Sequence, residues 1–440
     1  MKKYLIYGIF LVNIFIILFF WWQSSHSLFG FGNYGILTAL GRISGLLAVF
    51  FVLIQFVLIG RSIWIERIFG LDKLTRVHHL NSFLSIFFII FHPILVTLGY
   101  GVANQKSFLG QMSDFIFNYE NVFGAFIGLL IFIGIVIVSL SIVRLKFKYE
   151  SWYYVHIFTY LAILLAFGHQ MEIGGDFLNS DMFGYYWSLL YLVVFGNLIV
   201  FRFLRPVFLL YRHRFYISKV EKENPFVVSI YISGKNMDKF HALPGQFIIV
   251  RFLNKKFIWQ AHPFSISNVV EENQIRITVK NSGDFTSEIQ NILPNTFVLI
   301  DGPYGIFTEK AANLKKFLFI AGGIGITPIR AMIEGLTQKN ADIVLIYGAK
   351  KENEFVFKKE LEELSGKNDF PIHYVVSDDS SFVGLKGQVT EAMVEKLVPD
   401  FKEREVYICG PTPMMIGLKK SLTLAGTNEK NIHFEIFSLY

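Results

Sequence analysis

Five histidines fall within apolar stretches of this 440-residue chain, and their spacing is the first chemistry in it. TRVHHLNSFLSIFFIIFHPILV carries His78, His79 and His92; WYYVHIFTYLAILLAFGHQ carries His156 and His169. An ionisable side chain inside a membrane span is expensive and marks function by default. Neutral imidazole is a metal ligand, and two histidines near the two ends of two spans supply four ligands, enough for two stacked haems. His78 and His92 are separated by about 21 Å of helix and by about 40° around its axis. His79 and His92 would stand about 140° apart, which makes His78 the better ligand. The same mismatch of about 140° separates His156 from His169 on a straight helix, so a local distortion is expected, with Gly168 the residue that permits it. One such histidine would read as a core residue bonded to a neighbouring helix. Two matched pairs do not.

Arg42 lies near the outer end of an earlier apolar stretch. Its plain reading is an arginine reaching for headgroups; its functional reading is a partner for haem propionates or a bound acceptor. Gly41 and Gly45 beside it favour the second, since they would let a bulky group approach.

A second set of chemistry-bearing residues lies late in the chain. GGIGITP (residues 322–328) follows an apolar strand and opens a helix. Glycines there let the backbone approach a pyrophosphate, and a helix N-terminus favours its charge. Cys409-Gly410-Pro411 ends a later strand, expected at the same carboxyl edge of the sheet, where a dinucleotide binds. Within the strands before it, HPFSIS (residues 262–267) offers a hydroxyl at Ser265 for a flavin ring. Gly283-Asp284-Phe285-Thr286 offers amides and a hydroxyl for a flavin pyrophosphate, and DGPYG (residues 301–305) reads as a turn joining two lobes. Alone, each of these is a weak signal.

The elements that must position these residues differ sharply between the two halves. The chain is 53% hydrophobic with 48 Phe, and the apolar residues are concentrated before about residue 206. Six spans are expected, at roughly 4–22, 36–60, 78–99, 121–143, 152–169 and 184–204. The first has no small-residue cleavage site after it, so it is expected to stay as an anchor. Lys2, Lys3, Arg61, Arg67, Lys73, Arg76, Arg144, Lys146, Lys148, Arg202, Arg205, Arg212 and Arg214 fall on one side, and only Lys106 on the other. The positive-inside rule therefore puts both termini and the polar half in the cytoplasm, in a cell membrane. His78 and His156 then share the inner depth, and His92 and His169 the outer. The net charge of +7 follows from these juxtamembrane residues and carries no nucleic-acid signal. A single cysteine, Cys409, excludes an internal disulfide framework and a cysteine-ligated iron–sulfur cluster.

After Pro206 the pattern turns to short strands, with FYISKVEKENPFVVSIYIS breaking at Asn224-Pro225 as a hairpin would. A small antiparallel barrel is expected to about residue 310. From Lys315, strands alternate with helical stretches as in a parallel α/β sheet.

HPFS, DGPYG, AGGIGITP, CGP and a near-terminal E-x-F, in this order, resemble the ferredoxin–NADP reductase fold. Joined to six spans with two histidine pairs, the chain resembles the ferric reductase and NADPH oxidase superfamily, most closely the compact bacterial homologues. The resemblance covers nearly the whole chain. It implies a membrane all-α six-helix di-haem bundle (1–205), an antiparallel β-barrel FAD domain (206–310) and an α/β NAD(P)H-binding domain (311–440). It also implies a path: from NADPH, with NADH possible, to FAD, then through two haem b groups to an external acceptor. Carried over by position, His78 and His156 would hold the inner haem, and His92 and His169 the outer. Phe264, Ser265 and Thr286 would hold FAD; Gly322, Gly323, Thr327, Cys409 and Gly410 would hold the nicotinamide nucleotide. The wider cofactor-binding set adds His262, Pro263, Ile266, Ser267, Lys280, Gly283, Phe285, Gly325, Pro328, Lys350 and Pro411. Arg42, Cys409 and Phe437 are the expected catalytic residues, with Tyr440 an alternative to Phe437 for stacking on the flavin.

The chain departs from the family in three places. Val96 stands where animal oxidases carry a second histidine, and Phe285 where a tryptophan is common. Lys350 and Lys351 replace an arginine that reads the 2′-phosphate, and lysine lacks the guanidinium fork, which relaxes the preference for NADPH. Bis-imidazole ligation leaves no open iron position, so oxygen would be reduced at the haem edge. Superoxide is the expected product, and the acidic outer loops argue weakly against anionic ferric chelates. A ferric-chelate reductase shares every motif. A membrane haem sensor or redox partner, and a transporter with histidine relays, are the readings from other classes; no paired repeats or broken spans favour the transporter. The expected partners are the bilayer, cytoplasmic NAD(P)H and external oxygen or ferric chelate, with no nucleic acid and no obligate protein. Activity is expected to be constitutive.

Overall fold

A computed structural model describes residues 2–145, 149–270 and 274–435, with side chains for all of these except 141–145 and 149–150. The chain divides into two compact units, Met1–Ser62 with Leu74–Ile199 and Ile63–Lys73 with Val200–Tyr440.

The first unit is helical. In hydrocarbon every backbone N–H and C=O must be bonded within its own segment, and a helix does this without a partner strand. α1 (Lys2–Ser25) and α2 (Gly32–Ile59) run as one 58-residue stretch with a tighter turn at His26–Phe31. A straight helix of that length would reach about 87 Å, nearly three bilayer cores. The stretch folds back instead. Trp21 Nε1 donates to Ala39 O at 2.8 Å, and the Phe10 and Phe50 rings pack at 5.6 Å. α3 (Ile63–Phe69) belongs to the second unit. Then follow α4 (Leu71–Asn104), α5 (Phe108–Asn118), α6 (Val122–Leu145), α7 (Tyr149–Ile157), α8 (Thr159–Ile173), α9 (Gly175–Leu178) and α10 (Asp181–Leu198). Five stretches among the described residues are long and apolar enough to cross a membrane, not the six expected. The difference lies at the start, where both first spans fall in a single stretch because HSLFGF between them stays helical. Phe50, Leu53, Ile163, Phe183, Trp187 and Leu198 anchor the packed centre of this unit.

The second unit opens with α11 (Arg205–His213) and then turns to strands. These are β1 (Tyr216–Asn224), β2 (Val227–Ser233), β3 (Phe247–Phe252), β4 (His262–Ser265), β5 (Gln274–Lys280) and, after the short α12 (Asp284–Glu288), β6 (Val298–Tyr304). The β1–β2 hairpin turns at Asn224-Pro225, whose Asn224 Oδ1 accepts from Phe226 N. The expected closed barrel is instead two three-stranded sheets, β1-β2-β5 and β4-β3-β6. Isolated bridges, Tyr216 to Phe297 and Ile266 to Ile277, join them, with single backbone bonds such as Val298 N–H to Phe215 O and Ser267 N–H to Arg276 O. β4 is four residues long and contains Pro263, which has no N–H to donate to a ladder. Both sheets still face one core, built from Phe215, Ile230, Ile248, Phe252, Ile277 and Ile300.

The rest of the chain is β7 (Lys316–Gly322), α13 (Ile326–Thr337), β8 (Asp342–Ala349), α14 (Lys358–Asn368), β9 (Ile372–Val376), β10 (Leu385–Lys386), α15 (Glu391–Leu397), β11 (Glu405–Cys409), α16 (Thr412–Leu424) and β12 (Ile432–Phe434). The strands form one parallel sheet in the order β10-β9-β8-β7-β11-β12. One core lies against α13 and α14, the other against α15 and α16, so the sheet is covered on both faces. From β7 the chain steps to β8 on one side and later returns to β11 on the other. That reversal makes the crevice between β7 and β11 the place for a ligand.

Candidate functional site

In the first unit α4 lies beside α7 and α8, and two pairs of histidine rings meet across the gap. His78 and His156 have ring centres 6.1 Å apart; His92 and His169 have theirs 6.3 Å apart. A metal between two opposed imidazoles, at about 2 Å from each nitrogen and with the ring centre about 1 Å further back, separates the centres by about 6 Å. Both pairs fit that geometry. It is His78 whose ring meets His156; His79 is exposed. His92 donates Nδ1–H to Gly41 O at 2.8 Å, which fixes the tautomer and leaves Nε2 its lone pair. His78, His156 and His169 each keep a buried Nδ1 with no hydrogen-bond partner among the described residues. Buried orphan nitrogens demand an explanation, and a metal held by that nitrogen itself is one. No group of three or more His, Cys, Asp or Glu converges among the described residues. Each pair offers two donors, the number that a macrocycle-held iron leaves for axial ligands.

The distortion between His156 and His169 lies at Ile157–Phe158, between α7 and α8. There Phe158 N–H bonds Val155 O at 3.1 Å in a tighter step. Gly168 is not its source. α8 runs through Gly168, and a Cβ there would stand 2.9 Å from Asn121 Cγ, so the missing side chain admits Asn121. Gly41 and Gly45 likewise admit no bulky ligand but α4 itself. A Cβ on Gly45 would lie 2.6 Å from His92 Nδ1, and one on Gly41 2.6 Å from Val96 Cγ2.

Arg42 lines a cavity of about 290 Å³ together with His92 and His169. Its guanidinium lies against Gly175, where a Cβ would stand 2.7 Å from Nη2. The neighbouring Asp176 is buried and takes a hydrogen bond from Ser24 Oγ; burial raises its carboxyl above the usual range, against the pull of Ser24 and Arg42. Gln170, which no motif singled out, is buried next to His169. Its Oε1 accepts from Trp187 Nε1 at 3.1 Å and Tyr191 OH at 3.2 Å, and its Nε2 donates to Ala166 O. This bracing of the residue beside a candidate ligand is invisible to spacing alone.

In the second unit the GGIG and CGP loops meet at the carboxyl edge of the sheet. A Cβ on Gly325 would stand 2.2 Å from Cys409 O, and one on Gly410 would stand 3.0 Å from Gly322 Cα. Only glycine lets these backbones cross. Gly323 has φ +55 with open space above it, a conformation and a clearance that suit a phosphate approaching the start of α13. Thr327 and Pro328 are buried in the first turn of α13, and Thr327 Oγ1 donates to Ile324 O at 3.0 Å. Cys409 is buried, and burial together with Glu435 pushes its thiol far up, so it stays protonated. Pro411 precedes α16, and Lys350 stands exposed just past β8.

Towards the two smaller sheets, His262, Pro263, Phe264 and Ser265 are half-buried along edge strand β4. Ile266 and Ser267 are fully buried. Ile266 N–H bonds Gln246 O, and Ser267 N–H and Oγ both bond Arg276 O, so neither side chain faces an open surface. Phe285 is also a packing residue, its ring stacked on His262 with centres 3.9 Å apart. Thr286 Oγ1 accepts from Ser282 N and donates to Gly283 O, while nothing stands within 4 Å of a Cβ on Gly283. Lys280 pairs with Glu354 at 3.4 Å. DGPYG is no bare turn between lobes. It ends β6, where Arg205 donates to Gly302 O and Tyr304 OH, and Tyr304 donates to Asp301. Phe437 and Tyr440 lie outside the described residues.

What joins the small sheets to the large one escaped the sequence. Arg276 donates to both Glu360 oxygens, at 2.8 and 3.1 Å, and stands over the Phe357 ring at 4.4 Å. Arg330 donates to the same Glu360 at 3.0 Å, and both arginines donate to Ser267 O.

Three family models match in succession: "Ferric reductase like transmembrane component" over residues 44–167, "FAD-binding domain" over 212–308 and "Oxidoreductase NAD-binding domain" over 319–420. Among curated relatives, the glycine betaine monooxygenase reductase subunit of Chromohalobacter salexigens is 32% identical over 155 residues, 34% of this chain and 42% of its own length. NADH-cytochrome b5 reductase 2 of Candida glabrata is 33% identical over 150 residues, 32% of this chain and 50% of its own length. The chain thus spans half or less of these relatives. Among solved structures, a flavohemoglobin from Malassezia yamatoensis matches at a TM-score of 0.48 and 18% identity, over 91% of this chain and 100% of its own. The flavohem-like FAD/NAD-binding domain of a nitric oxide dioxygenase from Vibrio cholerae matches at 0.46 and 21%, over 50% and 97%. A transmembrane component of the ferric reductase type, followed by FAD-binding and NAD-binding domains, is the architecture of the ferric reductase and NADPH oxidase superfamily, and this chain carries it.

Proposed function

We propose that the protein moves electrons from cytoplasmic NAD(P)H through FAD and two bis-histidine haems to an acceptor across the membrane, most readily oxygen, which becomes superoxide. The observation that carries this reading is the twofold meeting of rings, His78 with His156 and His92 with His169, at 6.1 and 6.3 Å. When bound, the cofactors would supply hydride acceptance and one-electron transfer; the chain supplies position and electrostatics. The division into 1–205, 206–310 and 311–440 follows this reading, with both termini in the cytoplasm.

The open space above Gly323 would take the dinucleotide's pyrophosphate, and the crossing of Gly325 over Cys409 would set the depth of its nicotinamide end. Cys409, protonated and buried, would offer shape and a weak donor there rather than a nucleophile. Ser265 on β4 would meet the flavin, with the amides of Gly283 and Thr286 at its pyrophosphate. His78 with His156, and His92 with His169, would hold the two haems, which when bound supply one-electron transfer. Arg42, on the cavity that holds His92 and His169, would hold propionate charge or draw an anionic product.

Purified protein with added FAD, given NADPH or NADH, tests this by cytochrome c reduction with and without superoxide dismutase, alongside the haem spectrum. Inhibition by the dismutase with bis-histidine haem bands supports the oxidase. Turnover of ferric chelate without dismutase sensitivity moves the function to a ferric reductase, and absence of haem absorbance ends both readings.

A further inference from the structure

α11 has two faces, and among the described residues only one of them is covered. Pro206, Leu209 and His213, spaced by three and four residues, form the inner face. Pro206 and His213 are buried, and Leu209 packs against the core of the small sheets. Arg205 reaches from the same helix to β6, donating to Gly302 O and, at 3.2 Å, to Tyr304 OH. The outer face carries Leu204, Val207, Phe208 and Tyr211, again three and four residues apart and all exposed, Phe208 by 57% and Tyr211 by 76%. Scattered exposed hydrophobic residues are ordinary, but a contiguous stripe of them marks an interaction surface.

Length and charge say what covers this stripe. α11 ends a 33-residue helical stretch, Asp181–His213. A hydrocarbon core takes about 20 residues of helix, so α11 falls at the level of the headgroups. There a helix with one apolar face comes to rest with that face about 5–10 Å deep. Cations rim the stripe. The Arg212 guanidinium stands 5.6 Å over the Phe208 ring, and Arg214, exposed, ends the helix at φ +47. Lys235, also exposed, is held beside them: its N–H donates to His213 O, and Asn236 Nδ2 donates to Arg212 O at 3.2 Å. Asp238 and Lys239 follow on that loop and offset each other, and from residue 182 to 220 the chain has no Asp or Glu. A second copy of this helix would set like cations against each other, whereas a surface of phosphates answers them.

We propose that the outer face of α11 docks on an anionic lipid surface, with Leu204, Val207, Phe208 and Tyr211 at the boundary of headgroups and acyl chains and Arg212, Arg214 and Lys235 on the phosphates. Docking has a consequence inside the second unit. α11 is tied through Arg205 to β6, β6 pairs with β3, and β3 pairs with the HPFS strand β4. Anionic lipid would therefore hold the flavin strands in one place and speed electron delivery from them. That consequence rests on the proposed function; the docking itself does not.

The test uses the full-length protein in lipid nanodiscs, with Tyr211→Cys carrying a nitroxide; Cys409 is buried, and unsubstituted protein gives the labelling background. Oxygen concentrates among acyl chains and a nickel chelate stays in water, so the ratio of their collisions with the label reads its depth. Discs containing phosphatidylglycerol should favour oxygen about threefold more than discs of phosphatidylcholine alone. R212Q with R214Q should abolish that difference, and R212K with R214K should keep it. A label open to the chelate in both lipids overturns the docking. Equal depth in both lipids, or a depth that R212Q with R214Q leaves unchanged, overturns the role of charge. A label shielded from both reagents overturns the lipid in favour of a protein cover, a second copy if the mass doubles. NADH-driven haem reduction should run about threefold faster with phosphatidylglycerol, and a docked label with equal rates overturns the coupling. Protein with no NADH-reducible flavin fails the proposed function instead, and the label still decides the docking.

Discussion

A histidine ring can serve iron only while one nitrogen keeps its lone pair, and His92 secures this by donating Nδ1–H to Gly41 O. His92→Ala should therefore halve the haem content of purified protein, read from the pyridine haemochrome spectrum. His79→Ala should leave it unchanged, since the His79 ring is exposed and His78 is the ring that meets His156. Equal losses from both substitutions would contradict the assignment. Glu66, fully buried with its Oε1 accepting from Gly305 N at 2.6 Å, gives a prediction of another kind. Its carboxyl is raised in the folded state from 4.5 to about 7, with burial the largest cause. A raised acid contributes stability that is fully present below the unfolded value and is lost as pH rises through the folded one. Melting temperature in detergent should fall between about pH 5 and pH 7 by the equivalent of roughly 3 kcal/mol or less. E66Q should flatten that fall.

At the scale of elements, two close crossings set the geometry. Gly45 lets α2 approach the His92 ring, and Gly325 lets the start of α13 cross the end of β11. Gly45→Val should lower haem content much as His92→Ala does, by pushing the ring aside. Gly325→Ala places a methyl where Cys409 O stands, at 2.2 Å, and backbone has to move. NAD(P)H-driven haem reduction should fall at least tenfold, while dithionite still reduces the haems at the wild-type level. Loss of both would mean that the substitution unfolds more than the loop. The turn at Ile157–Phe158 is a third such device, bringing into line two histidines that a straight helix would splay by about 140°.

Across the second unit, the small sheets and the large sheet are held by the Arg276–Glu360–Arg330 cluster. Arg276 is 3% exposed, bonds both Glu360 oxygens and stands over Phe357. Removing one partner of a buried ion pair costs about 3–5 kcal/mol, but the Glu360 side chain is 37% exposed and water screens the charge left behind. Arg330 still reaches Glu360, so Arg276→Met should fall at or below the lower end of that range. Calorimetry should then show the NAD-binding part melting apart from the FAD-binding part, where the wild type melts the two together. For the whole protein, the expected outcome is dismutase-sensitive cytochrome c reduction driven by NADPH, with NADH also effective because lysines stand where an arginine fork would read the 2′-phosphate.

The order of the domains and the long apolar helices of the first half were legible in the sequence, and the four histidines stood out as candidates, because apolar runs, motif order and residue spacing are local properties. The sequence also placed the GGIG and CGP loops on one edge, since a parallel sheet brings the carboxyl ends of its strands together. Only the tertiary structure decided how rings and loops meet. Distances of 6.1 and 6.3 Å between rings from separate helices depend on the Phe158 turn and on α4 packing against Gly45, and neither shows in spacing. The six expected spans became five stretches because HSLFGF stays helical, and the barrel became two sheets because a short β4 with Pro263 cannot continue a ladder. The burial of Ile266, Ser267 and Phe285 was not legible either, since a motif names a residue without saying which face it turns inward. Glu66 is the extreme case. Its hydrogen-bond partner Gly305 lies 239 residues away, and no local pattern carries the desolvation that results when a fold closes over a charge.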